Sequence, residues 1–281
     1  MARVAIVTDS TANLTPEWVQ ARGVTVVPLY VLFGDESYQD GVDLTAREFY
    51  QKMATSPVLP TTSQPSSGLF VEAFERLFKD GYDEILAVLM SSRISGTYQS
   101  AMAAREMVGG SITCIDSRMT EFALGIQVME AARLLDEGVS IKDVITHLET
   151  VRDHTTAVIV VEDLVHVRRS GRIGGAAAAL GSLLQLKPII TLQDGLVEVR
   201  EKVRTTKKAH EAILSYLFAD AEHAALGEVA VIHTGALHLA EPFRDRILER
   251  FPSVNLRVMD IGPIIGVHAG PNSVGLIYRT L

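Results

Sequence analysis

Glu84-Ile85-Leu86-Ala87-Val88-Leu89-Met90-Ser91-Ser92-Arg93-Ile94-Ser95-Gly96-Thr97-Tyr98-Gln99-Ser100-Ala101 decides the fold class. It begins as a short apolar run, passes through a hydroxyl-rich loop, and takes up a helical pattern from Thr97. A strand that hands its carboxyl end to a polar loop and then to a helix is the building unit of an open α/β sheet. In such sheets that loop is the usual ligand position. Upstream, Pro60-Thr61-Thr62-Ser63-Gln64-Pro65-Ser66-Ser67 sets four polar side chains between two prolines, which force an extended backbone. Two hydroxyl-bearing loops of this kind, brought together, would offer several neutral donors to one anionic or polar group.

The same alternation runs outward in both directions. Arg3 to Thr8 is an apolar run ending in Asp9-Ser10-Thr11, a buried strand that delivers polar groups at its carboxyl end. Thr15-Pro16-Glu17 supplies a cap, a proline at the first helical position and an acid in the first turn, and Gly23 closes that helix. Val24 to Phe33 reads as the next strand, and Thr45-Ala46-Arg47-Glu48 as a capping box. Leu69, Phe70, Ala73, Phe74, Leu77 and Phe78 recur at helical spacing before Gly81. A strand over Ser111 to Ile115 and helices over Ala123 to Glu137 and from Ser140 to about Arg152 continue the pattern. It predicts a largely parallel sheet covered on both faces.

Beyond about residue 155 the pattern changes. Ala157 to Val161 reads as a strand, Gly171 to Gly175 as a tight loop, and Ala176 to Gln185 as a small-residue helix. Gln193-Asp194-Gly195 between two apolar runs is a hairpin signal that a pure βαβ domain does not need. The chain is therefore expected to divide into an N-terminal α/β/α domain over 1–155, carrying the Thr62 and Ser95 loops, and a C-terminal α+β domain over 156–281 with a mixed or antiparallel sheet.

Bulk properties narrow the function classes. The 281 residues carry a formal charge of −8, which argues against wholesale binding to nucleic acid or to an anionic membrane. Cys114 is the single cysteine, so there is no disulfide framework and no thiol zinc site. No apolar run is long enough for a membrane span or a signal peptide, and a cytoplasmic protein is expected. Walker and Gly-x-Gly-x-x-Gly loops are absent, the histidines show no metal-ligand spacing, and no cofactor is expected. A serine-hydrolase elbow would need glycine where Arg93 stands, two positions before Ser95.

Three features could bind a partner or ligand. The hydroxyl loops are one, although Ser66, Ser67 and Ser95 are equally placed to cap helices. Ile261 to Pro271 is another, with glycines around His268 and Gly270 that fit either a ligand approach or a plain turn between strands. The third is a local cationic concentration: Arg168, Arg169, Arg172, Lys187, Arg200, Lys202, Arg204, Lys207 and Lys208 make nine of the chain's 26 cations. It is either a solvated face or a docking surface for an acidic or phosphate-bearing partner.

Asp9-Ser10-Thr11, Thr62-Ser63-Gln64-Pro65, Ser91-Ser92 with Ser95-Gly96-Thr97-Tyr98-Gln99-Ser100-Ala101, Ser170-Gly171-Arg172-Ile173, and Gly262-Pro263 with Gly266, His268 and Gly270-Pro271 resemble the successive motifs of the bacterial DegV family. Asn272 departs from that pattern where a glycine is usual. The resemblance implies a two-domain protein without turnover of its own that binds a long-chain fatty acid such as palmitate between its domains. It further implies that the acyl carboxylate is presented to a separate ATP-dependent fatty acid kinase for phospholipid synthesis. By motif match, Thr62, Ser95, His268 and Arg172 surround the carboxylate, Ser63, Ser92 and Gly270 are possible further contacts, and Arg204 with Lys202 engages the kinase. The rival reading is a serine-type hydrolase or acyltransferase using Ser95 and His268.

Overall fold

A computed structural model describes residues 2–162, 164–172 and 186–281. In chain order the elements are β1 (Val4–Asp9), α1 (Pro16–Arg22), β2 (Thr25–Val27), β3 (Tyr30–Phe33), β4 (Glu36–Gln39), α2 (Ala46–Thr55), β5 (Thr61–Ser63), α3 (Ser67–Lys79), β6 (Glu84–Leu89), α4 (Thr97–Val108), β7 (Ser111–Asp116), α5 (Phe122–Asp136) and α6 (Ile141–Asp153). They continue with β8 (Thr155–Val160), α7 (Leu164–Ser170), β9 (Lys187–Gln193), β10 (Leu196–Val203), α8 (Thr206–Asp220), β11 (Leu226–His233), α9 (Leu237–Arg250), β12 (Asn255–Asp260), α10 (Pro263–Ala269) and β13 (Val274–Thr280). The helix expected over 176–185 lies outside the described residues.

The chain forms two compact units, the first made of 1–44 and 62–153 and the second of 45–61 and 154–281. The first is built on a parallel sheet in the order β2-β1-β6-β7. Its core joins Val7, Ile85, Ala87 and Leu89 of the strands to Phe70, Phe74 and Leu77 of α3. Local chemistry sets the helix ends. Thr15 accepts from the Trp18 amide with Pro16 at the first helical position, and Gly23 closes α1 at φ 62°. Thr45 and Glu48 form the reciprocal capping box of α2.

The strand expected over Val24 to Phe33 is broken in two. Pro28 has no N–H to give a ladder, so the chain leaves the parallel sheet after β2. It re-enters as β3 in a separate three-stranded sheet of order β4-β3-β5.

The second unit holds a six-stranded mixed sheet in the order β10-β9-β8-β13-β11-β12, in which only the β11–β12 pair is parallel. β9 and β10 are joined by Asp194 and Gly195 at φ 53° and 79°, the two positive values that a type I′ turn requires. Tyr278, Val231, Leu217 and Ile247 are buried together under α8 and α9. The glycine-rich stretch before β13 is a helix, α10, rather than a bare turn. Tyr50 of α2 donates to the Ile261 carbonyl at 2.7 Å, and α2 packs on α10.

Candidate functional site

The Ser95 loop is anchored from both neighbouring strands. Asp9, at the end of β1, is buried and accepts from the Met90 amide at 2.7 Å and from the Thr11 amide and hydroxyl at 3.0 and 2.6 Å. Burial pushes its carboxyl up, and these bonds oppose the shift. From the other side, Asp116 at the end of β7 accepts from the Ser92 amide at 3.1 Å and from the Ser92 hydroxyl. The loop's start is thereby fixed, and Ser95 follows half-buried. Its Oγ lies 2.9 Å from the Thr97 hydroxyl and accepts from the Thr97 amide at 3.3 Å.

Gln64 joins the Thr62 loop to the Ser95 loop. Its amide donates to Ser100 Oγ at 3.1 Å and lies across Gly96, where a Cβ would stand 2.0 Å from Gln64 Oε1. Only glycine fits beside Ser95 while this contact exists. Thr62 is half-buried on β5, Ser63 is exposed with its hydroxyl on the Gln64 carbonyl, and Ser66 caps α3 by accepting from Leu69. The first unit thus links the two hydroxyl loops through Gln64.

Asp40 was not singled out from sequence, where an acid before Gly41 reads as a turn residue. It is buried, its amide donates to the Leu29 carbonyl, and Ser10 Oγ accepts from the Leu29 amide at 3.1 Å. Burial pushes the Asp40 carboxyl up to about 7, aided by the Asp9 charge and opposed by a Ser10 hydrogen bond.

In the second unit His268 sits in the last turn of α10, half-buried. Burial first, then the positive charge of Arg172, then His166, push its imidazole down to about 4. It is therefore a neutral N–H donor at ordinary pH, and Arg172 supplies the positive charge. Arg172, Lys202 and Arg204 are exposed. Among the described residues, no group of three or more His, Cys, Asp or Glu side chains is placed to hold a metal ion. No helix among them is long and apolar enough to cross a membrane.

Acid is expected to act on the two units with opposite sign. His268, ordinarily near 6.5, is lowered to about 4, so the unfolded second unit binds more protons between those values and stability falls as pH drops through them. Asp40, ordinarily near 3.8, is raised to about 7, so the folded first unit binds more protons in that window and gains stability as pH drops. Each contribution is on the order of 3 kcal/mol. Hydrogen exchange at pH 7 and pH 4.5 should show protection rising in β1 and β6 and falling in β11 and β13. His268→Gln should flatten the second response, and a common sign in both units would contradict the assignment.

A parallel-sheet unit carrying two linked hydroxyl loops and a mixed-sheet unit carrying His268 on a short helix define a two-domain α/β protein. The family model for DegV, described as "Uncharacterised protein, DegV family", matches residues 3–281. The chain belongs to the DegV family. A DegV domain-containing protein of Halalkalibacterium halodurans is 44% identical over 279 residues, covering 99% of both chains. The crystal structure of DegV, a fatty acid binding protein from Bacillus subtilis, superposes with a TM-score of 0.94 at 34% identity over 100% of both chains. A stearic-acid-binding protein from Eubacterium ventriosum superposes at 0.87 with 26% identity, over 99% of this chain and 98% of its own.

Proposed function

We propose that this chain binds a long-chain fatty acid in the cytoplasm and presents its carboxylate to a separate ATP-dependent fatty acid kinase. The observation that carries the reading is the pairing of the Thr62 and Ser95 loops through Gln64, with Thr62 and Ser95 both half-buried. A carboxylate taken out of water is costly unless it is hydrogen-bonded and charge-compensated. Thr62 and Ser95 supply hydroxyl donors, His268 a neutral N–H, and Arg172 the compensating charge. An acyl chain of roughly sixteen carbons gains on the order of 12 kcal/mol on burial, before ordering costs. The fatty acid is therefore retained through purification.

Turnover by Ser95 is disfavoured because the side chain its hydroxyl meets is Thr97, a neutral alcohol that cannot act as general base. The phosphoryl chemistry belongs to the partner, since this sequence has no Walker loop. Lys202 and Arg204, exposed around the end of β10, form the docking point.

Native mass spectrometry of freshly purified protein, followed by solvent extraction, should find a near-stoichiometric fatty acid. Empty protein that also refuses added palmitate and oleate would overturn the reading. With a cognate kinase and ATP, Arg204→Glu should slow acyl phosphorylation at least about tenfold while fatty acid binding persists. Loss of both together would assign Arg204 a structural role instead.

A further inference from the structure

The last carbonyls of a helix have no partner within it, and for Val267 of α10 the following chain offers none at four residues on either, because position 271 is Pro271, which has no N–H. That carbonyl is met instead by His166 of α7, whose Nδ1 lies 3.1 Å from Val267 O. Because a carbonyl only accepts, the His166 ring carries its proton on Nδ1. The same ring packs on Gly270, where a Cβ would come within 2.7 Å of His166 Cδ2, and Gly270 holds φ 73°. On the other side of His268, the Ala269 carbonyl accepts from Ser273 Oγ at 3.0 Å, and the Ser273 amide is held by Thr234 at 2.8 Å. The two carbonyls flanking His268 are thus fixed by donors from outside α10. One of those donors stands six residues before Arg172, on the segment that leads to it.

We infer that His166 is a positioning residue for the carboxylate site. By replacing the amide that Pro271 lacks, it fixes the last turn of α10 so that the His268 ring and Arg172 address the same anionic group. It acts on the ligand through the Val267 carbonyl and not by touching it. This rests on the fatty acid reading, and the test separates the two.

His166→Phe keeps a ring against Gly270 and removes the donor, whereas His166→Asn keeps an N–H donor near the place of Nδ1 and removes the ring. Protein with 15N-labelled histidine, free of ligand, reports the His268 ring resonances, assigned by their loss in His268→Gln. Stearate with a 13C-labelled carboxyl reports binding. His166→Phe is expected to move the His268 resonances and to weaken stearate binding roughly three- to tenfold, the effect of one lost hydrogen bond. His166→Asn should restore both toward wild type, a rescue that a general packing role does not provide. Wild-type behaviour of His166→Phe in both readouts would overturn the inference, as would His166→Asn failing as His166→Phe does. If the wild type takes up no stearate, the fatty acid reading falls, yet the ring resonances of the ligand-free variants still decide whether His166 positions His268.

Discussion

Thr62→Val combined with Ser95→Ala is expected to weaken stearate retention about 100-fold or more, with the fold intact. A hydrogen bond to a charged acceptor contributes about 1.5–3 kcal/mol, so two lost donors correspond to roughly 3 kcal/mol at the least. The single variants should not sum simply, because Gln64 couples the two loops through Ser100 and Gly96. Ser95→Ala also removes the acceptor of the Thr97 amide at the start of α4, which costs about 1 kcal/mol of stability. Ser66→Ala is the matched control, since Ser66 also accepts a first-turn amide, that of Leu69 in α3, and is not assigned to the ligand. Dissociation of labelled stearate, read beside the thermal midpoint, distinguishes the two losses. Retention in the double variant equal to that of Ser66→Ala would remove these hydroxyls from the site.

Gly275→Ala is expected to destabilise the second unit by about 3 kcal/mol, at the upper end of overpacking effects. Gly275 lies on β13 between β8 and β11. A Cβ there would stand 2.3 Å from the Val158 carbonyl oxygen and 3.0 Å from Ile159 Cα, both backbone atoms that no rotamer change can move. Relief requires prying β8 from β13 in the middle of the sheet. The disturbance also reaches Ser273, two residues earlier, which ties the Ala269 carbonyl beside His268. Hydrogen exchange should show lost protection in β8, β11 and β13 with β1 and β6 unchanged. A thermal midpoint within about 1 °C of wild type would mean that the sheet accommodates a methyl group at no cost, since 1 kcal/mol moves midpoints by a few degrees at this size.

Signals confined to a few neighbouring residues were readable in the sequence. Thr15-Pro16, the Thr45 and Glu48 box and Asp194-Gly195 each act within four residues, and each folds as its chemistry dictates. Pro28 was an equally local signal that a strand across Val24 to Phe33 could not continue. The α10 helix was harder to see, because Gly262, Gly266 and Gly270 read as turn residues. Gly262 and Gly270 cap the helix and Gly266 lies inside it, where a Cβ would stand 2.6 Å from Tyr50 Oη and 2.9 Å from Phe49. Gly266 thus marks close packing on a helix whose partner lies about 200 residues away in sequence. Asp40 and His166 were invisible for the same reason. One becomes a buried acid only through Ser10 and Leu29, and the other meets its carbonyl across 101 positions. The hydroxyl loops and His268 stood out because each motif is compact, whereas the contacts that orient them are not.

The passage of α2 into the second unit has a consequence for the order in which the protein can be completed. Phe49 is fully buried and Tyr50 bonds a carbonyl 211 residues further along the chain. A ribosome adding about 5–20 residues per second needs roughly 10–40 s to travel from Tyr50 to Ile261. Through that interval the first unit can assemble from 1–44 and 62–153, while the aromatic face of α2 has no α10 to cover it. α10 therefore carries His268 and also closes the aromatic face of α2, so acquisition of the proposed carboxylate contact and closure of that surface become a single late event.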